Sequence, residues 1–249
     1  MKVSAPLRLS AEAIRGKERH FPLFLITALL PIGVFPFANL DGTVLERLAL
    51  PLAVTLLVLE SLRAMPEWVA RIGPFKVNGI YRWLGIISAV VVWWPLLVGH
   101  RPLFLAHVLV VAIRALFYSL TAVRIIQVLA NCDRVGVRTL CLGAAGYVHL
   151  GLTAGLLATV LQLVDPDSFN LGATVLHEEL MARLSYYAFV TLGSLGYGDV
   201  VPASPIGESF AVLVSISSTL YLSLLIGLLL SRFIASQERE LIEKLEEES

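Results

Sequence analysis

The chain has 249 residues, 57% hydrophobic and 15% charged, with 19 basic and 19 acidic side chains and no net charge. Soluble domains are roughly 45–50% apolar and about 25% charged, and so little polar surface cannot cover a water-facing exterior. This composition excludes an ordinary soluble enzyme, a disordered chain, a disulfide scaffold and a nucleic-acid binder; with a mean hydropathy of +0.80 it points to a helical membrane protein.

Residues 1–20 form a charged N-terminal segment without the short apolar core and cleavage site of a removable leader. A bilayer crossing takes about 20 apolar residues. Six apolar runs read as spans: Phe21–Leu40, Leu48–Leu59 (extended at its edges by Glu46-Arg47 and Glu60), Trp83–Gly99, Pro102–Leu129, Thr139–Val164 and Ser209–Ser231. Pro31 and Pro36 predict a kink or break near the outer end of the first. With the N-terminus inside, 14 Lys and Arg residues fall in inner segments and 3 (Arg47, Arg101 and Arg183) in outer ones. That bias predicts six spans with both termini cytoplasmic. No internal repeat is visible, which argues against inverted-repeat transporters.

Several polar residues fall inside the spans. Arg114 and Arg124 lie ten apart in span four, and Glu60 in span two is the buried acid that could meet Arg114. The expectation is that Arg114 pairs with Glu60 or a lipid phosphate, while Arg124 snorkels to the inner interface. His107 and His149 have no charged residue at helical spacing in the sequence and read as hydrogen-bonded packing residues. Cys132 and Cys141 read as free thiols.

The informative stretch lies between spans five and six. It runs from Tyr186-Tyr187 through Thr191-Leu192-Gly193 to Ser194-Leu195-Gly196-Tyr197-Gly198-Asp199 and Pro202. The pattern predicts a short re-entrant helix, about Leu180–Leu192, followed by backbone that cannot stay helical. Glycine reaches positive φ freely. Alternating handedness lets successive carbonyls point to one side. Irregular backbone survives at membrane depth only around a protein-lined or watery cavity, and a row of carbonyls on one axis replaces the hydration shell of a cation.

Ser194-Leu195-Gly196-Tyr197-Gly198-Asp199 resembles the selectivity-filter signature of potassium channels, usually Thr-Val-Gly-Tyr-Gly-Asp. The resemblance covers roughly Tyr186 to Arg232. It implies an all-α membrane protein with six transmembrane helices and a re-entrant pore helix and filter between helices five and six. It also implies K+ ligation by the carbonyls of Ser194, Leu195, Gly196 and Tyr197, with the Ser194 hydroxyl as an inner ligand and Gly198 shaping the mouth. The Tyr197 ring would pack on Tyr186 and Tyr187, with Thr191 in support. Val190 stands where many relatives carry an acid, so a hydroxyl of Tyr186 or Tyr187 is expected to bond Asp199. The C-terminal end of the pore helix would favour a cation at the midplane. Ser218 aligns with a glycine hinge, Thr219 and Leu222 with the cavity wall, and Leu230 with an inner constriction. One filter segment per chain implies a homotetramer.

The resemblance divides the chain into an N-terminal segment (1–20), a sensor-like domain (21–131), a pore domain (132–236) and a short tail (237–249) read as helical. Voltage sensing needs about 3–4 gating charges per subunit, more than Arg114 and Arg124 supply. His177-Glu178-Glu179, Asp165, Asp167, Asp199 and Glu208 read as an acidic vestibule. The expected protein is an integral membrane protein of the plasma membrane that passes K+ without an enzymatic step. Lipid surrounds it, and neither nucleic acid, organic substrate nor organic cofactor takes part. Two alternatives stand beside this. Ser194 and Leu195 depart from the usual Thr and Val, which leaves room for a weakly selective monovalent cation channel. The intramembrane His107, His149 and Glu60 leave room for a membrane enzyme or transporter.

Overall fold

The computed structural model describes residues 11–37, 43–67, 71–72, 75–94, 96, 104–132, 136–172 and 180–247. Its principal helices are α1 (Ala11–Arg15), α2 (Phe21–Val34), α3 (Val44–Ala64), α4 (Val77–Val91), α5 (Phe104–Ala130), α6 (Val137–Val164), α7 (Leu180–Leu192) and α8 (Pro205–Glu247). Two short antiparallel ladders join β1 (Arg71–Ile72) to β2 (Phe75–Lys76) and β3 (Phe169–Asn170) to β4 (Val201–Pro202).

Among the described residues, four helical stretches are long and apolar enough to cross a membrane: Ala13–Phe37, Phe104–Ala130, Val137–Val164 and Pro205–Leu228. The expected second and third spans correspond to α3 and α4. The 21 residues of α3 rise about 31 Å at 1.5 Å each, but Glu46, Arg47, Glu60 and Arg63 interrupt the apolar surface. Helix α4 has only 15 residues and stops at Val91. The far end of that expected run, residues 97–99, lies outside the described residues, as does His177-Glu178-Glu179.

Local signals explain the helix ends. Thr43 and Glu46 form a reciprocal capping box that starts α3. Pro31 does not break α2; the helix continues to Val34 and tightens into a 3-10 turn at Phe35–Phe37, where Pro36 stands. Helix α8 runs unbroken through Ser217 and Ser218 and takes in the tail to Glu247.

Helix α6 is the hub, with α2, α5, α7 and α8 all packed against it. Small residues let their backbones approach. A Cβ at Gly155 would stand 2.7 Å from the Cα of Ser185, so α7 lies directly on α6 there.

The polar interior of the α2–α5 unit differs from the sequence expectation. Arg124 does not snorkel. It is buried, its guanidinium lies 4.0 Å over the Tyr81 ring, and Nη2 donates to the Pro66 carbonyl (2.9 Å) and to Asn78 Oδ1 (3.0 Å). An Arg this well supplied with protein acceptors has no need of the interface. The Arg114–Glu60 pair is also absent. Glu60 accepts from Arg63 Nη1 at 2.7 Å and lies 3.5 Å from His20 Nδ1. Its helix packs on α2 and α4, whereas α5 packs on α4 and α6, so Arg63, one turn along the same helix, is the nearer partner. Arg114 is only 6% exposed, and its Nε and Nη2 have no hydrogen-bond partner. His149 is a packing residue: Nε2 lies 3.1 Å from the Tyr118 carbonyl and the ring stacks on Tyr118 at 4.7 Å. Neither cysteine forms a disulfide, and the Cys132 sulfur lies 3.6 Å from the Thr139 hydroxyl.

Candidate functional site

Helix α7 is held between α6 and α8 and ends at Leu192. Its last turn closes on itself. The Gly193 N–H donates to the Phe189 carbonyl (2.9 Å), Ser194 N–H to Thr191 (3.1 Å) and Leu195 N–H to Val190 (2.9 Å). The last two bonds form a Schellman cap, which places its C′ residue in the left-handed region. That residue is Ser194, at φ 58°. A non-glycine residue is uncommon there.

The chain then alternates. Positive φ recurs at Gly196 (56°) and Gly198 (78°), and Leu195 and Tyr197 between them are not in that region. Space does not demand glycine, since a Cβ at 196 or 198 would meet nothing within 4 Å; the backbone conformation does. Leu195 is 59% and Tyr197 65% exposed, so these residues face away from their own subunit's core.

The stretch is braced from outside. Arg183 Nη2 lies 3.3 Å from Asp199 Oδ2, and its guanidinium carbon lies 5.5 Å from the Tyr186 ring centre. The Tyr186 hydroxyl also interacts electrostatically with the Asp199 carboxylate. Strand β4 pairs with β3, so Pro202 stands opposite Phe169. Gly172, at φ 75°, packs its backbone against the Asp199 carbonyl.

Other expected residues fall elsewhere. Tyr187 is turned from Asp199: its ring packs on Phe169 (5.1 Å), which in turn meets Phe210 edge-on (6.1 Å), and its buried hydroxyl has no hydrogen-bond partner. Within one subunit the Tyr197 ring stacks on neither Tyr186 nor Tyr187. Tyr187 and Tyr197, with Thr191, instead line an open cleft of about 210 Å³ behind the alternating segment. Ser218 is buried, and its Oγ donates to the Leu192 carbonyl at 2.6 Å. The reason is rotational: Val214, Ser218 and Tyr221 share the one stripe of α8 that faces its own subunit. Thr219, Leu222 and Leu230 lie on exposed faces of α8, and the Thr219 hydroxyl bonds back to Ser215 in its own helix.

Three further residues at the site carry no motif in the sequence. Arg183 is the sole basic residue on α7 and the ion partner of Asp199. Tyr147 on α6 donates to the Leu192 carbonyl (3.1 Å), and Tyr221 on α8 to the Gly143 carbonyl (2.7 Å). The available signal was tyrosine beside glycine in the Gly143–Tyr147 stretch, where a hydroxyl can reach a closely approaching backbone.

Residues 171–235 match a family model described as an ion channel, which covers about a quarter of the chain. Helix α7, the alternating segment and the first thirty residues of α8 fall inside that match. The fold is that of a mostly helical membrane protein, and its C-terminal part is similar to ion channels. No curated protein and no solved structure matches the chain.

Proposed function

We propose that the chain is a potassium channel subunit, four copies of which surround one ion pathway. The observation that carries this reading is the run of positive φ at Ser194, Gly196 and Gly198, on alternate residues directly after a capped helix. In an ordinary strand, carbonyls alternate between two sides. Reversing handedness at every second residue turns them to one side. The carbonyls of Ser194, Leu195, Gly196 and Tyr197 would then replace the water around a K+ ion. One chain supplies one quarter of such a ring. The exposed Leu195 and Tyr197, and an α8 surface bearing exposed Leu213, Ile216, Leu220 and Leu224, agree with coverage by neighbouring copies and lipid. Thr219 and Leu222 would face the shared cavity, and a ring of Leu230 would narrow its inner end.

In the same reading α3 and α4 also cross the bilayer, giving six spans with both termini in the cytoplasm of a plasma-membrane protein. The α2–α5 unit serves as a scaffold rather than a steep voltage sensor. Arg124 is fixed by Pro66, Asn78 and Tyr81, which leaves Arg114 as one candidate gating charge where about 3–4 are needed.

A weakly selective cation channel of the same architecture is the second reading. Leu195 favours it, because it stands where the resembled motif carries a stiffer, β-branched valine. The test is K+ flux from liposomes together with native mass. A tetramer whose K+ flux disappears in Gly196→Ala supports the proposal. A stable monomer or dimer, or flux indifferent to Gly196→Ala, refutes it.

A further inference from the structure

Side-chain hydroxyls from two helices converge on one carbonyl at the base of the alternating segment. Tyr147 Oη on α6 donates to the Leu192 carbonyl at 3.1 Å, and Ser218 Oγ on α8 donates to the same oxygen at 2.6 Å. A carbonyl oxygen has two lone pairs, so both are occupied. Leu192 is the last residue of α7 and stands two before Ser194. The neighbouring carbonyls of Phe189, Val190 and Thr191 already accept from Gly193, Leu195 and Ser194. Every carbonyl of the final turn is therefore engaged, and the Leu192 peptide is the one whose direction is set from outside α7.

We infer that Tyr147 and Ser218 are positioning residues for the filter, acting through the Leu192 carbonyl. The inference rests on the potassium-channel reading above. Rotation of the Leu192–Gly193 peptide changes φ of Gly193, one of the torsions that aim the Ser194 carbonyl, the innermost of the proposed ligands. Two hydroxyls on separate helices hold that peptide against rotation, so the base of the filter takes its geometry from α6 and α8 together. Loss of either donor leaves a buried acceptor half-satisfied and frees the peptide to turn. A looser carbonyl ring discriminates less between cations of different size. The clamp also links the inner helix to the filter without a hinge at Ser218: α8 cannot shift there without breaking the bond or moving the Leu192 carbonyl with it.

The test uses the full-length chain in planar bilayers, with K+ on one side and Na+ on the other. Ser218→Ala and Tyr147→Phe should each raise the Na+/K+ permeability ratio about threefold, the equilibrium factor of one hydroxyl bond buried in a membrane. The double variant should fall short of the product of the two, because both donors serve one acceptor. Ser218→Thr, which keeps the hydroxyl, should restore the wild-type ratio. Tyr221→Phe removes a bond from the same stripe of α8 without touching Leu192 and should leave the ratio unchanged. Tyr147→Phe keeps its ring and carries the test if Ser218→Ala fails to assemble. Wild-type ratios in both Ser218→Ala and Tyr147→Phe, or an equal shift in Tyr221→Phe, overturn the inference while the channel reading stands. A wild-type chain that passes neither cation overturns both.

Discussion

Arg183 and Asp199 form an ion pair across the outer end of the candidate filter, Nη2 to Oδ2 at 3.3 Å, with both side chains about one-third or more exposed to solvent. An acid on the pore helix would have shared charge with Asp199; an arginine neutralises it. Exposed pairs of this kind contribute about 0.2–1 kcal/mol. Arg183→Gln and Asp199→Asn should each hasten the decline of K+ flux, and the double variant should resemble either single one. Additive effects in that double-mutant cycle would show that the two side chains act separately.

Ser194 occupies the left-handed region at φ 58°, where a β-branched residue is strained. Threonine is the usual residue of the resembled motif. Here Ser194→Thr should lower stability, whereas Ser194→Gly, which relieves the ~1–2 kcal/mol that a Cβ costs in this region and removes the hydroxyl, should melt at or above the wild-type temperature. Thermal unfolding in detergent checks the order, and Ser194→Thr melting above Ser194→Gly would contradict it.

Gly155 admits α7 onto α6. A methyl group there meets the Cα of Ser185 at 2.7 Å, and backbone cannot swing aside as a flexible side chain does. Gly155→Ala should therefore cost about 1–3 kcal/mol, as overpacked sites do, and reduce the yield of assembled protein on size exclusion. An unchanged melting temperature would rule out close packing at this crossing.

Arg114 presents the opposite case, a buried guanidinium whose Nε and Nη2 lack hydrogen-bond partners. Replacing an uncompensated buried charge with an apolar side chain of similar length removes its desolvation cost. Arg114→Met should raise the melting temperature and leave the voltage dependence of current unchanged. A flattened conductance–voltage curve would instead make Arg114 a gating charge.

The parts of this architecture that follow local rules are legible in the sequence. The bounds of α7 can be read there because a helical run meets Gly193 and the glycine alternation beyond it. Likewise α5 and α6 follow from long runs of apolar residues. The left-handed Ser194 is not legible, because it follows from a Schellman cap rather than from the preference of serine. Arg183, Tyr147 and Ser218 are equally hidden, since each partner is set by how α6, α7 and α8 approach one another. The Arg114–Glu60 expectation fails for a related reason: opposite charges in two spans say nothing about whether those spans are neighbours.

If the backbone of residues 194–197 conducts K+ in preference to Na+, the reversal potential of the purified chain in a bilayer bathed in mixed K+ and Na+ should follow the K+ gradient by close to 59 mV per tenfold change, the thermal factor for one elementary charge. A potential that ignores the K+ gradient would contradict that preference.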